Sequence, residues 1–266
     1  VAVDVQVPCL LPGAWYVAAV TDVADVAPGR YAPVIAPVIE RLTLSVVNKA
    51  RARAATTPAP SAAAPDAMRM LGQLRTALLA RTVTAVGLAA VYRYRDAADV
   101  RRDLDGLLAA GLVEGTGDGA VQATERGHAV LNQMYGVTAE VARELWSEHD
   151  GRLVGLSDLA GQAVQAALAS GGDAYATMAP PYEPADATAG LVLHTRLSVL
   201  RYHRADAHAA AWQAAGLTAA TVRQLPAGPI RDAIEAETNR RAGLPYAALS
   251  PDERLTFLAG LAVLPG

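Results

Sequence analysis

Apolar residues recur at three- and four-residue spacing along most of this chain, the period of a helix that buries one face. "PVIAPVIERLTLSVVNKARAR" (Pro33 to Arg53) predicts a helix with both prolines in its first turn, where a missing N–H matters least. Met70, Leu71, Leu74, Leu78 and Leu79 give the next helix an apolar face, with Asp66 as its cap. "TAVGLAAV" (Thr84 to Val91) predicts a short helix. After the turn "YRYR", Asp96 caps another, on which Val100, Leu104, Leu107 and Leu108 form the buried side and Gly111 the stop. There the period changes to two. "LVEGTGDGAVQAT" predicts two short strands around Gly117-Asp118-Gly119, and Thr124 caps a new helix beginning "ERGHAVLNQM". Helical stretches "TAEVARELWSEH" and "RLVGLSDLAGQAVQAALAS" follow, then a Gly171-Gly172 break and the proline-rich "APPYEPAD". A long helix from about Thr188 to Ala215 ends at Gly216, and three short helical pieces lead to Leu264. Before all of these, Val1, Val3, Val5 and Val7 alternate with other residues, which predicts a short strand or extended arm.

Composition supports the helical picture. Apolar residues are 52% of the chain but aromatics only 5%, so Ala, Val and Leu must fill the core. The net charge of −3 argues against a broad nucleic-acid-wrapping surface and confines any DNA contact to a local patch. Cys9 is the one cysteine, which excludes an internal disulfide and a cysteine-rich zinc site. The uncharged run from Val7 to Val20 is too short for a bilayer and is broken by Pro8, Pro12 and Gly13, so a soluble, cytoplasmic protein is expected. No phosphate-cradling glycine loop, nucleophile elbow or paired-cysteine motif is present. No cofactor or metal is expected, and no motif names a reaction.

The run "LLAAGLVE", glycine turn, "TERGHAVL" closely resembles the winged-helix domains of bacterial MarR-type regulators, over roughly Asp66 to Tyr135. The resemblance implies a mainly α fold: a winged helix-turn-helix with a two-stranded β-wing plus an additional helical bundle. The chain then divides into an N-terminal arm and helix (1–54), a linker (55–65), the winged domain (66–135) and a C-terminal helical domain (136–266). It also implies a homodimer on double-stranded DNA, responsive to a small-molecule effector. Carried over by position, Arg93 and Arg95 in the turn, Arg101 and Arg102 on the second helix, and Arg126 after the wing are the DNA contacts, with His128 beside Arg126. Arginine suits that role because its fork matches both phosphate and the edge of guanine. Against this, Asp96, Asp99, Asp103 and Asp105 balance the four arginines of Arg93 to Asp105, and the wing tip carries Asp118 without a basic residue. A balanced patch predicts weak, salt-sensitive binding. Winged helices also serve as structural or dimerisation modules, so a scaffold role stays open beside a DNA-reading one.

"LVLHTRLSVLRYHRADAHAAAWQAAGLT" concentrates three of the five histidines. His203 and His208 lie about 140° apart around a helix, so one ion cannot take both. His203 and Asp206, three apart, can meet. His194, Arg201, His208 and Trp212 fall on one stripe, which suits either packing or an anionic or aromatic ligand between helices. These six residues are the candidate ligand or catalytic set for an enzyme or small-molecule binder built on a winged-helix scaffold. This stretch, with "IEAETNRRAGLPYAALSPDERL", is similar to the C-terminal half of uncharacterised actinobacterial helix-turn-helix proteins, a likeness that supplies no reaction.

Overall fold

Two apolar clusters organise the chain in the computed structural model, which describes residues 27–55 and 63–266. The alternating stretch at Val1 to Val7, the uncharged run to Val20 and residues 56–62 of the expected linker lie outside the described residues. The order of elements is α1 (Pro28–Ala55), α2 (Pro65–Leu78), α3 (Ala85–Val91), α4 (Ala97–Ala109), β1 (Val113–Gly115), β2 (Val121–Ala123) and α5 (Glu125–Trp146). There follow α6 (Asp150–Ala167), α7 (Asp173–Met178), α8 (Ala189–Ala214), α9 (Ala219–Arg223), α10 (Pro229–Ala242) and α11 (Pro251–Ala262). The molecule is thus mainly helical, with a small two-stranded antiparallel sheet.

The smaller unit packs Met70, Leu71 and Leu74 of α2 against Leu107 of α4, Val121 of β2 and Leu131 of α5. Its boundaries follow from local chemistry. Thr84 accepts from the Gly87 N–H at the start of α3, and Asp96 accepts from the Ala98 and Asp99 N–H groups at the start of α4. Gly111 turns the chain at φ 64° and leads into the hairpin, in which Val113 pairs with Ala123 and Gly115 with Val121. Val83 adds a single antiparallel bridge to Val121. Thr124 then caps α5 by accepting from the Gly127 N–H. Gly127 is required there: a Cβ on it would lie 1.9 Å from the Leu112 carbonyl oxygen, so only glycine lets α5 start this close to the hairpin.

The larger unit packs Tyr31, Ile35 and Leu42 of α1, Trp146 of α5, Leu197 of α8 and Phe257 of α11 into one core. Helix α8 runs through the middle, so it lacks a polar face: Leu193, Leu197 and Leu200 belong to the large core, Val199 to the small one. Truncating such a residue, Leu197→Ala for example, costs about 2–5 kcal/mol. Among the described residues no helix is long and apolar enough to cross a membrane.

Four expectations are corrected. Helix α1 starts at Pro28, so Pro33 and Pro37 lie inside it rather than in its first turn. Tyr31 and Ala32 extend the buried face backwards, and packing outweighs the N–H groups that the prolines lack. Helix α2 starts at Pro65 after Ala64, which leaves Asp66 in the first turn, where its charge suits the helix dipole without capping. Helix α5 continues unbroken past residue 135, so one 22-residue helix, not two, joins the cores. Finally, α7 forms inside the segment after Gly171-Gly172 that reads as loop.

Candidate functional site

The turn between α3 and α4 is fastened to the rest of the protein through Tyr92, Arg93 and Tyr94, and to α4 itself through Arg95. Tyr92 is buried and its hydroxyl donates to the Met70 carbonyl at 3.2 Å. Arg93 Nη2 pairs with Asp206 of α8 while Nε donates to the Ala90 carbonyl at 2.7 Å. The Tyr94 carbonyl accepts from Arg223 of α9 at 2.9 Å. Arg95 pairs with buried Asp103 at 2.6 Å and sits over the Tyr92 ring. Arg93 and Arg95, expected as DNA contacts, are therefore engaged within the fold.

The outward face of α4 differs. The side chain of Arg101 is exposed and makes no hydrogen bond or ion pair among the described residues, and the same holds for the side chain of Arg126 at the start of α5. Arg102 is exposed in a surface pair with Asp99 at 2.7 Å, a contact that water and salt weaken easily. Asp105 of α4 and Glu114 and Asp118 of the hairpin are exposed as well. Asp118 stiffens the hairpin tip by accepting from the Ala120 N–H at 3.0 Å and the Thr116 hydroxyl at 2.9 Å, bonds that hold its carboxyl below the usual range.

On α8 the histidine stripe divides into separate clusters. Asp206 is a hub: besides Arg93 it accepts from the Gly172 N–H at 3.1 Å and the Tyr175 N–H at 2.8 Å, taking the capping role that Gly172 cannot fill for α7. It does not bond His203, whose Nε2 lies 2.9 Å from the Ser170 hydroxyl and whose ring meets Tyr175 edge-on. Burial pushes His203 down to about 4, against the opposing pull of Asp206. Trp212 Nε1 donates to the Tyr94 hydroxyl at 3.1 Å, and that hydroxyl lies 2.8 Å from His208 Nδ1. The Tyr94 hydroxyl thus bridges the two side chains of α8, and His208 Nε2 lies 3.9 Å from Glu235. Burial lowers His208, with Glu235 opposing.

At the other end of the stripe, His194 is wholly buried and its Nε2 lies 3.1 Å from Arg75 Nη2, while Arg201 pairs with Glu40 at 3.7 Å. Burial first, then Arg75 and Arg201, push His194 down to about 3. The six candidates of α8 thus never converge on one centre. Among the described residues no cluster of His, Cys, Asp and Glu could hold a metal ion. A crevice of about 30 Å3 touches Leu200, Arg201, His203 and Tyr246, and a groove of about 150 Å3 lies between Lys49, Arg53 and Glu144. Both are below the roughly 300 Å3 at which drug-sized pockets begin.

Sequence reasoning missed Arg75, Tyr94, Ser170 and Glu235. Arg75 left a signal: with Leu71 and Leu78 it shares the apolar spacing of α2, where a charge needs a reason. Comparison with family models, with curated proteins and with solved structures finds no match to the chain.

Proposed function

We propose that the protein is a DNA-binding regulator of winged-helix type, in which α4 enters the major groove and the hairpin lies along the flanking backbone. The observation that supports this reading is the contrast at α4: its turn is anchored, while Arg101 and Arg102 on its outer face, and Arg126 at the start of α5, are exposed to solvent. A helix held from behind with exposed arginines in front has the form that groove reading requires. The protein acts as a homodimer, since two half-sites demand two such helices. A small-molecule effector acts by favouring one separation of the pair.

Three cations per protomer set the scale. Full neutralisation of three phosphates gives a log–log salt slope of about −3 per protomer. Fluorescence anisotropy with random-sequence and upstream genomic DNA across a salt series tests this. Arg101→Ala with Arg102→Ala is expected to remove sequence-selective binding and flatten the slope by about 2 per protomer. Unchanged affinity in that variant overturns the assignment. The exposed carboxylates Asp105, Glu114 and Asp118 on the same helix and hairpin favour a second reading, in which the unit is a scaffold for a small-molecule binder or enzyme. No binding at low salt selects it.

A further inference from the structure

Asp96, Asp99, Asp103 and Asp105 share the stretch that carries the arginines, and the structure accounts for the first three. Asp96 accepts from the Ala98 and Asp99 N–H groups and so starts α4. Asp99 pairs with Arg102 at 2.7 Å, and buried Asp103 pairs with Arg95 at 2.6 Å. Asp105 does none of this work. Its side chain is exposed and makes no hydrogen bond or ion pair among the described residues. Arg101 stands four residues before it, a spacing at which opposite charges on a helix commonly join, yet no ion pair forms between them.

Buried Asp103 and Leu107 mark the inner side of α4. At roughly 100° per residue Asp105 lies about 160° from each, at the middle of the outer face, with Arg101 about 40° to one side and Arg102 about 60° to the other. The face therefore has an acidic middle and two basic shoulders. A helix laid in a major groove turns its shoulders toward the phosphate strands and its middle toward the base edges. A carboxylate in that middle is unfavourable wherever it finds no donor, because phosphates repel it from both sides. Base chemistry then narrows the choice. Guanine presents O6 and N7 and thymine O4, all acceptors, adenine sets its N7 acceptor beside its N6 donor, and cytosine presents the N4 amino donor.

Resting on the reading that α4 enters the groove, we propose that Asp105 is a specificity-determining residue: it demands cytosine at one base pair of each half-site by accepting from the N4 amino group. The same charge lowers attachment to every site that lacks this cytosine, so it sharpens choice while weakening non-specific binding. The near balance of acid and base along α4 follows from that trade.

The test is selection from a random-sequence duplex library at low salt by the full-length protein, by Asp105→Asn and by Asp105→Ala. Thermal melts check that these substitutions at an exposed position leave the fold intact. Sites selected by the wild type are expected to share one C·G pair, whose replacement lowers affinity about tenfold. Asp105→Asn should turn that one position toward adenine, because a carboxamide accepts from N6 and donates to N7, while the neighbouring positions stay as they were. Asp105→Ala should lose the preference there and bind random duplexes several-fold more tightly at low salt, since a repelling charge is gone. Selected sites that are identical for all three proteins overturn the inference and leave the regulator standing. A wild-type protein that enriches no sequence at low salt ends the regulator reading itself, and this assignment with it.

Discussion

The turn before α4 and the outer face of α4 carry the same kind of residue and use it in opposite ways. Arg93 and Arg95 are held by Asp206 and Asp103, whereas Arg101 stands free and Arg102 has only a surface partner. Four arginines within ten residues therefore divide into two that build the unit and two that stay on its surface. A charge count along the sequence treats them alike, and for this reason misjudges both the rigidity of the unit and the charge left for a partner.

The largest expected break in this contrast is Asp206→Asn. It removes the counter-charge from Arg93, whose side chain is 15% exposed, and weakens the acceptor for two α7 N–H groups. Breaking one side of a buried pair typically costs about 3–5 kcal/mol, read as a lower urea midpoint. Adding Arg93→Met should recover part of that loss, because no orphan cation then remains. Arg101→Ala should stay within about 0.5 kcal/mol of the wild type. A loss under about 1 kcal/mol in Asp206→Asn would mean that the lock is held elsewhere.

Next in size is the response to acid. The unfolded chain protonates His203 near its ordinary 6.5, but the folded protein resists until about 4. Between those values the unfolded state binds more protons, so stability present above 6.5 falls as pH drops through the window. The loss amounts to roughly 3 kcal/mol. His194, held low by burial and by two arginines, adds to it in the same direction. His203→Asn should flatten the profile of urea midpoint against pH. A profile equally steep in the variant would place the acid sensitivity elsewhere.

Local chemistry was legible in the sequence. Asp96, Thr124, Thr188, Gly111 and Gly216 act at the ends of helices as their types and positions suggest. The glycine-rich hairpin forms where the apolar period changes to two. Partner choice was not legible. Asp206 lies within reach of His203 along its own helix, yet it pairs with Arg93, 113 residues away in sequence. Nothing local encodes that choice, because it depends on α8 crossing behind the α3–α4 turn. The stripe of His194, Arg201, His208 and Trp212 misled for a related reason. It is real on the helix, but it spans about 27 Å of axis at 1.5 Å per residue, so its two ends meet different neighbours.

The smallest effect expected is also the most discriminating for the free face. Asp118 has two properties that ordinary substitutions change together: its oxygen closes the hairpin turn, and its charge is exposed at the hairpin tip. Asp118→Asn separates them, because a carboxamide oxygen still accepts from the Ala120 N–H and the Thr116 hydroxyl at the observed 3.0 and 2.9 Å. Tm should move by no more than about 1 °C, as expected for a surface change that keeps its bonds. If the α4 face meets phosphate, removing one repelling charge from the hairpin should raise DNA affinity several-fold at low salt, with the gain fading as screening increases. If the hairpin merely packs or caps the fold, affinity for DNA has no reason to change. An equal gain at high and low salt would assign the effect to altered hairpin shape rather than to charge, and would sink the electrostatic account of the free face while leaving the locked turn untouched.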